Sequence, residues 1–207
     1  AAVRRLRDAG LPLRILTNTT AYAAATIGDA LRRFGLPVED DEVITAPVAA
    51  VTYLQQTHPG ARVHVLGDAV HQDMEPLDRV GLDDDPDVIL LSGADESYCF
   101  ERFNLVLRRL LDGATLVAMH RNLTWMATEG IRLDSGAYLL GLEQAVRRRA
   151  VVTGKPAAEF FAAGLRSLGL PAAAVAMVGD DLGNVVLAAQ ALGITGILVR
   201  TGKFRPE

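Results

Sequence analysis

The chain has 207 residues, half of them hydrophobic, with a formal net charge of −4 and one cysteine; its mean hydropathy is +0.21 and its pI is near 5.6. This composition folds rather than stays disordered, and the length suffices for one large core or two modest ones. It excludes an intramolecular disulfide and gives no electrostatic reason for a nucleic-acid partner. With no apolar run of membrane length and no leader pattern, a cytoplasmic protein with no membrane partner is expected.

A helix is predicted over residues 1–8, stopped by Gly10, with a strand at Leu13–Leu16. A helix over 21–34 closes at Gly35 and Pro37, Val43-Ile44 follows an acidic triplet, and a further helix runs from Pro47 to about Gln56. Strands are then predicted at 62–66, 88–91 and 115–119, helices at 70–79 and 100–111, and a mixed stretch at 125–133. The last third reads as a helix over 137–148, a strand at 150–152, a helix opened by Pro156 at its first position and closed by Gly169, a strand at 174–178, a helix through Ala191 and a strand at 195–199. Such alternation implies parallel sheets with helical crossovers, an α/β fold. The arginine clusters (4–5, 32–33, 108–109, 147–149) fall on predicted helices or their ends, where solvated faces and last-turn dipoles explain them.

Three polar clusters stand where apolar strands stop: Thr17-Asn18-Thr19-Thr20, Thr153-Gly154-Lys155-Pro156 and Gly179-Asp180-Asp181. In an open α/β sheet, ligands bind outside the carboxyl ends of strands. Hydroxyls and amides suit an oxyanion, and a lysine can neutralise a transferring phosphoryl group. A carboxylate pair can hold Mg²⁺ together with phosphate oxygens and waters. Taken singly, the Thr/Asn cluster reads as a capping run and Lys155 as a solvated surface group, while the acidic pair reads equally as a helix cap. Lysine occurs only at 155 and 203, so most of the positive charge is arginine. The two TGK triplets lack the preceding glycine and following Ser/Thr of a Walker A loop. The histidines at 58, 64, 71 and 120 lack metal-ligand spacing and read as surface or satisfied polar groups. Ser92 lacks the context of a nucleophile elbow, Asp134-Ser135-Gly136 reads as a turn and cap, and Cys99 as a small buried hydrophobe.

More than a hundred residues, with βα units of their own, separate the first cluster from the second. That is too much for a loop, and an inserted domain with hinges near 42–46 and 134–138 is expected. The expected division is a discontinuous unit of residues 1–44 and 136–207 around an insertion at 45–135.

The joint order of the clusters resembles the haloacid dehalogenase (HAD) superfamily of phosphatases, with 17–20, 153–156 and 177–181 similar to its second, third and fourth motifs. The insertion resembles the C2 cap of the class IIA branch, as do Asp95-Glu96-Ser97, Met119-His120-Arg121-Asn122 and the stretch 198–204. The resemblance implies a Rossmann-like parallel-sheet core with an inserted α/β cap. It implies a Mg²⁺-dependent phosphatase working through an aspartyl-phosphate on a small phosphorylated metabolite, and leaves room for a homodimer through the cap. Thr17 and Asn18 would hold the phosphoryl group, Lys155 would neutralise its charge, and Asp180, supported by Asp181, would ligate Mg²⁺. Thr19, Asp95, His120 and Arg121 would contact substrate. The family's nucleophile strand ends in D-x-D-G; no strand here does, and the position of a further acid after Asp180 is Val185. The expectation is therefore a truncated phosphatase lacking its first core strand, with little or no activity. The alternatives are a non-catalytic phosphate-binding or oligomerising relative, or a doubly wound protein whose clusters are only caps.

Overall fold

The computed structural model describes residues 2–69, 72–202 and 204. Helix α1 (Ala2–Asp8) leads to strand β1 (Ile15–Thr17), helix α2 (Ala24–Arg33) and strand β2 (Val43–Thr45), which pairs parallel to β1 with Leu16 opposite Ile44. Helix α3 (Ala46–Thr57) starts at Thr45, whose side chain accepts the Val48 amide at 3.3 Å, and carries Pro47 in its first turn, where the missing N–H costs nothing. Five strands follow in one parallel sheet: β3 (Arg62–Leu66), β4 (Asp78–Arg79), β5 (Val88–Leu91), β6 (Thr115–Ala118) and, much later in the chain, Val151–Val152. Their order across the sheet is β4, β3, β5, β6 and then the 151–152 strand.

The two-residue period of a strand sorts this sheet's side chains into two cores. Val88 and Leu90 of β5, with Val63 and Val117, meet Ala46, Ala50 and Leu54 of α3 on one face. Ile89 and Leu91, with Leu66 and Leu116, meet Val106 and Leu110 of helix α4 (Phe100–Leu111) on the other. That second core also takes Leu139 and Leu142 of helix α5 (Ser135–Val146). Each Val, Leu or Ile side chain among them contributes about 1.5–3 kcal/mol by leaving water.

The chemistry-bearing strand at Val151–Val152 therefore pairs with β6, through Val117 and Ala118, and α5 packs on the same sheet. Pairing and packing thus run through the expected boundary at 134–138. Between β6 and α5 the mixed stretch is an antiparallel hairpin, β7 (Thr124–Ala127) and β8 (Gly130–Leu133). The strand at Val151–Val152 is β9, after which the chain enters helix α6 (Ala158–Leu168).

The remaining strands, β10 (Ala176–Gly179) and β11 (Thr195–Leu198), form a second parallel pair. Between them lie a π-type turn at Leu182–Leu187 and the short helix α7 (Ala188–Gln190), in place of the single expected helix. Both strand pairs sit on α6. Phe160 packs with Ile44 and Ala49, Phe161 with Ala189 and Ile194, and Leu16 reaches both groups. Among the described residues the two pairs are separate sheets, so the α/β class holds while the expected core sheet is split into halves.

Two local expectations fail for backbone reasons. The helix predicted at 70–79 is a single 3-10 turn, Gln72–Met74, followed by β4, because Pro76 lacks an amide donor and bars helix in the residue before it. Pro156 does not open α6: it follows a cis peptide in a turn, and the helix begins at Ala158. Val70, His71 and Lys203 lie outside the described residues.

Candidate active site

The carboxyl ends of β1, β9 and β10 face one cavity of about 460 Å³, which brings together Thr17, Asn18, Thr19, Lys155, Asp180 and Asp181. These residues are up to 164 positions apart in sequence, since the cavity spans Thr17 to Asp181. The first two turns are locked to each other by one amide side chain. Asn18 Nδ2 donates to the Lys155 carbonyl at 3.0 Å, and Asn18 Oδ1 accepts the Lys155 amide at 2.9 Å. Gly154 is required for this approach, because a Cβ there would run into the Met119 carbonyl oxygen. The Lys155 ammonium donates to the Leu16 carbonyl at 2.9 Å, which draws it across the end of β1. Thr17 Oγ1 accepts the Thr19 amide at 3.1 Å and lies 2.8 Å from the Thr19 hydroxyl, folding the turn back on itself.

The acidic pair divides its work. Asp181 caps the turn after β10, accepting the Asn184 amide at 2.9 Å and the Asn184 side-chain amide at 3.0 Å. Asp180 lies against Gly202, where any side chain would collide with its carboxylate. Val185, which stands at the position of the family's further acid, is buried and packs on Gly179 while also lining the cavity.

The opposite wall comes from the large sheet and includes residues the sequence reading passed over. Asp68, at the carboxyl end of β3, accepts the Thr20 hydroxyl and the Gly93 amide, both at 3.0 Å. Burial pushes its carboxyl above the ordinary range, against the pull of Thr20, Ser92 and Gly93. His120 and Asp134 are buried beside it; the imidazole Nε2 is 3.9 Å from Asp134 Oδ2, and Nδ1 is 3.3 Å from the Ser135 hydroxyl. Asp134 also caps α5 as expected, accepting the Ser135 amide at 2.7 Å. Asn122, Trp125 and Asn184 also line the cavity. Asp68 had a readable signal, since it is a polar residue immediately beyond an apolar strand, the same rule that found the other three clusters.

Two of the expected substrate residues lie elsewhere. Asp95 folds onto its own loop, accepting the Ser97 amide at 2.8 Å and the Ser97 hydroxyl, and is not among the residues lining the cavity. Arg121 lines a second, smaller cavity. His58 is half-buried and bonds Thr57, whereas His64 is buried with Nδ1 on the Val80 carbonyl and, among the described residues, Nε2 without a partner, so burial holds its pKa down. Ser92 is a buried structural hydroxyl that donates to the Leu66 carbonyl. Cys99 is half-buried at the start of α4.

Among the described residues no three carboxylate, histidine or cysteine side chains converge as a metal cage. The donor chemistry fits instead a hard cation held through one carboxylate, Asp180, with phosphate oxygens and waters completing the shell, as Mg²⁺ prefers. No helix among the described residues is long and apolar enough to cross a membrane.

Residues 1–92 match the family model described as haloacid dehalogenase-like hydrolase, and residues 152–207 match one described as HAD-hydrolase-like. A phospholysine phosphohistidine inorganic pyrophosphate phosphatase from Xenopus laevis is 35% identical over 208 residues, covering 100% of this chain and 75% of that protein. The chain belongs to the haloacid dehalogenase-like hydrolase family. A second relative of this HAD-like hydrolase, human haloacid dehalogenase-like hydrolase domain-containing protein 2, is 32% identical over 204 residues, with 99% of this chain and 77% of the relative covered. Among solved structures, a p-nitrophenyl phosphatase from Archaeoglobus fulgidus matches with a TM-score of 0.87 and 27% identity, over 95% of this chain and 76% of that one. A 4-nitrophenylphosphatase from Thermotoga maritima matches at 0.88 and 26%, over 98% and 78%. The family is thus a hydrolase family, and three of these four proteins are named phosphatases.

Proposed function

We propose that this HAD-like hydrolase binds the phosphoryl group of a small phosphorylated metabolite between the 17–20 and 153–156 turns, as a Mg²⁺-dependent phosphatase of the class IIA kind. The observation that carries the reading is the double hydrogen bond of Asn18 to the Lys155 backbone, which fuses two distant strand ends into one anion-facing corner. In this reading Asn18 positions the corner, because both ends of its amide are engaged with Lys155, while Thr17, Thr19 and Lys155 face the phosphoryl oxygens. Asp180 would hold the cation, which supplies charge neutralisation at those oxygens, and Asp181 keeps the turn beneath it in shape. The unit that covers the site would run from about residue 46 to 153, since α3, α5 and β9 pack or pair with the large sheet. Asp68, His120 and Trp125 would then face the leaving group, and closure of this unit would exclude water.

The nucleophile of the reading is an aspartate that forms an aspartyl-phosphate. No strand among the 207 residues ends in D-x-D-G, so this polypeptide is expected to hold phosphate without turning esters over. Thermal unfolding with inorganic phosphate and Mg²⁺ tests the binding half. At a hundred times Kd the ligand pair should add about 2.7 kcal/mol of stability, and Asp180→Ala should abolish the Mg²⁺-dependent part. A clear Mg²⁺-dependent rate with p-nitrophenyl phosphate from the pure 207-residue protein would refute the catalytic half.

A further inference from the structure

Beside the main cavity lies a second of about 270 Å³, lined by Arg121, Asn122, Leu123, Thr124, Lys155, Pro156 and Asn184. Lys155, Asn122 and Asn184 line both cavities, so the two adjoin across the lysine. Their charges differ in kind. Among the described residues, the larger cavity is lined by four carboxylates and one lysine, whereas the smaller has two cations, two amides, a hydroxyl and no carboxylate.

Arg121 is held in place rather than loose on the surface. Its two terminal nitrogens donate to the two oxygens of Glu143, one at 2.9 Å, and the Glu143 side chain is only 2% exposed. Glu143 also accepts the Ala150 amide at 2.8 Å and pairs with Arg149 at 3.2 Å. One carboxylate therefore faces two guanidinium groups, and the cluster carries a surplus positive charge. Of the five N–H donors of a guanidinium, the fork onto Glu143 uses two, and three remain for an incoming acceptor. A rigid, charged donor set at the rim of a polar cavity is what recognition of a planar or tetrahedral anion requires.

We infer that the smaller cavity is a second anion subsite, in which Arg121, aided by Asn122 and Thr124, takes an anionic group of the same substrate whose phosphoryl lies on the far side of Lys155. The inference rests on the phosphoryl placement proposed above and narrows the substrate to phosphorylated compounds with a second negative group, a carboxylate or a further phosphate, a few bonds from the first. Glu143 is the positioning residue for Arg121 and does not touch the ligand.

Non-hydrolysable ligands separate the possibilities on the intact 207-residue protein. Calorimetric titration in Mg²⁺ should give phosphonoacetate, methylenediphosphonate or both an affinity about tenfold above that of ethylphosphonate, the gain expected for one charge-assisted contact. The arm that gains identifies the second group as carboxylate or phosphate. In Arg121→Gln the ratio should fall to about one. Because that change unbalances buried Glu143, Thr124→Glu provides an independent probe: it places a negative charge at an exposed strand position in the cavity and should cut the ratio severalfold. Equal affinities for all three ligands in the wild-type protein, or a ratio unmoved by Thr124→Glu, would overturn the subsite and leave the phosphoryl site standing. Failure of every ligand, ethylphosphonate included, would overturn both.

Discussion

The large sheet and the β10–β11 pair obey the same strand periodicity but differ in what covers them. All four residues of β5 are fully buried, divided between α3 on one face and α4 with α5 on the other. In β10 and β11 alternate residues are open: Val178 is 53% exposed and Ile197 44%. The covered region sets the stability of the molecule, and the half-covered pair carries the 179–181 turn of the site. That turn is held by a side-chain lock, the Asp181 carboxylate on the Asn184 amides.

The sharpest break in that comparison is a pair of truncations. Leu90→Ala, in the buried strand, should cost about 2–5 kcal/mol by urea unfolding, whereas Val178→Ala should fall within about 0.5 kcal/mol. Equal losses would mean that the β10–β11 pair is as firmly covered as the sheet. Hydrogen exchange gives the same contrast without mutation, with β5 amides protected to the global limit and β10 amides exchanging through smaller openings.

A smaller effect separates two carboxylates by sign. Arg121 and the Ala150 amide hold Glu143 at about 2, below its ordinary 4.5. Its contribution to stability is therefore complete above pH 4.5 and is lost as pH falls toward about 2. Asp68 is shifted the other way by burial, so folding is favoured by its protonated form and weakened as pH rises through and above its ordinary 3.8. Urea midpoints between pH 5 and 2.5 should fall on acidification, and in Asp68→Asn the fall should be steeper because the opposing contribution is gone. Glu143→Gln should flatten it. An acid limb indifferent to both changes would contradict the assignment of these two groups.

The smallest effect concerns the third turn. Asp181→Ala removes the acceptor for the Asn184 amide and should cost about 1 kcal/mol, as loss of a helix cap does. Asp180→Ala should change stability less in the absence of ligand and abolish the Mg²⁺ dependence of phosphate binding. The reverse pattern would exchange the roles given to the two acids.

The α/β alternation was readable because the buried strands at 62–66, 88–91 and 115–118 are short apolar runs bounded by turns, and the strand-end rule found three of the four turns that build the cavity. Illegible were the pairings that depend on distant partners. Nothing local in Val151–Val152 says that it hydrogen-bonds to β6, and α5 reads alike whichever sheet it covers. Arg121 and Asp95 look equally available as sequence. Only the fold shows that one is forked onto a buried glutamate from 22 positions away while the other closes its own loop two residues on. Asp68, just beyond the apolar run at 62–66, is legible by the same rule as its neighbours.

The account stands on the joining of distant strand ends into one anion-binding corner, and amide chemical-shift mapping tests this most directly. Titration of labelled protein with inorganic phosphate in Mg²⁺ should move the Thr19, Lys155 and Asp180 amides together, along one saturation curve, with Asn18→Ala uncoupling the first two. Shifts confined to one of the three turns, or saturating at different phosphate concentrations, would contradict it.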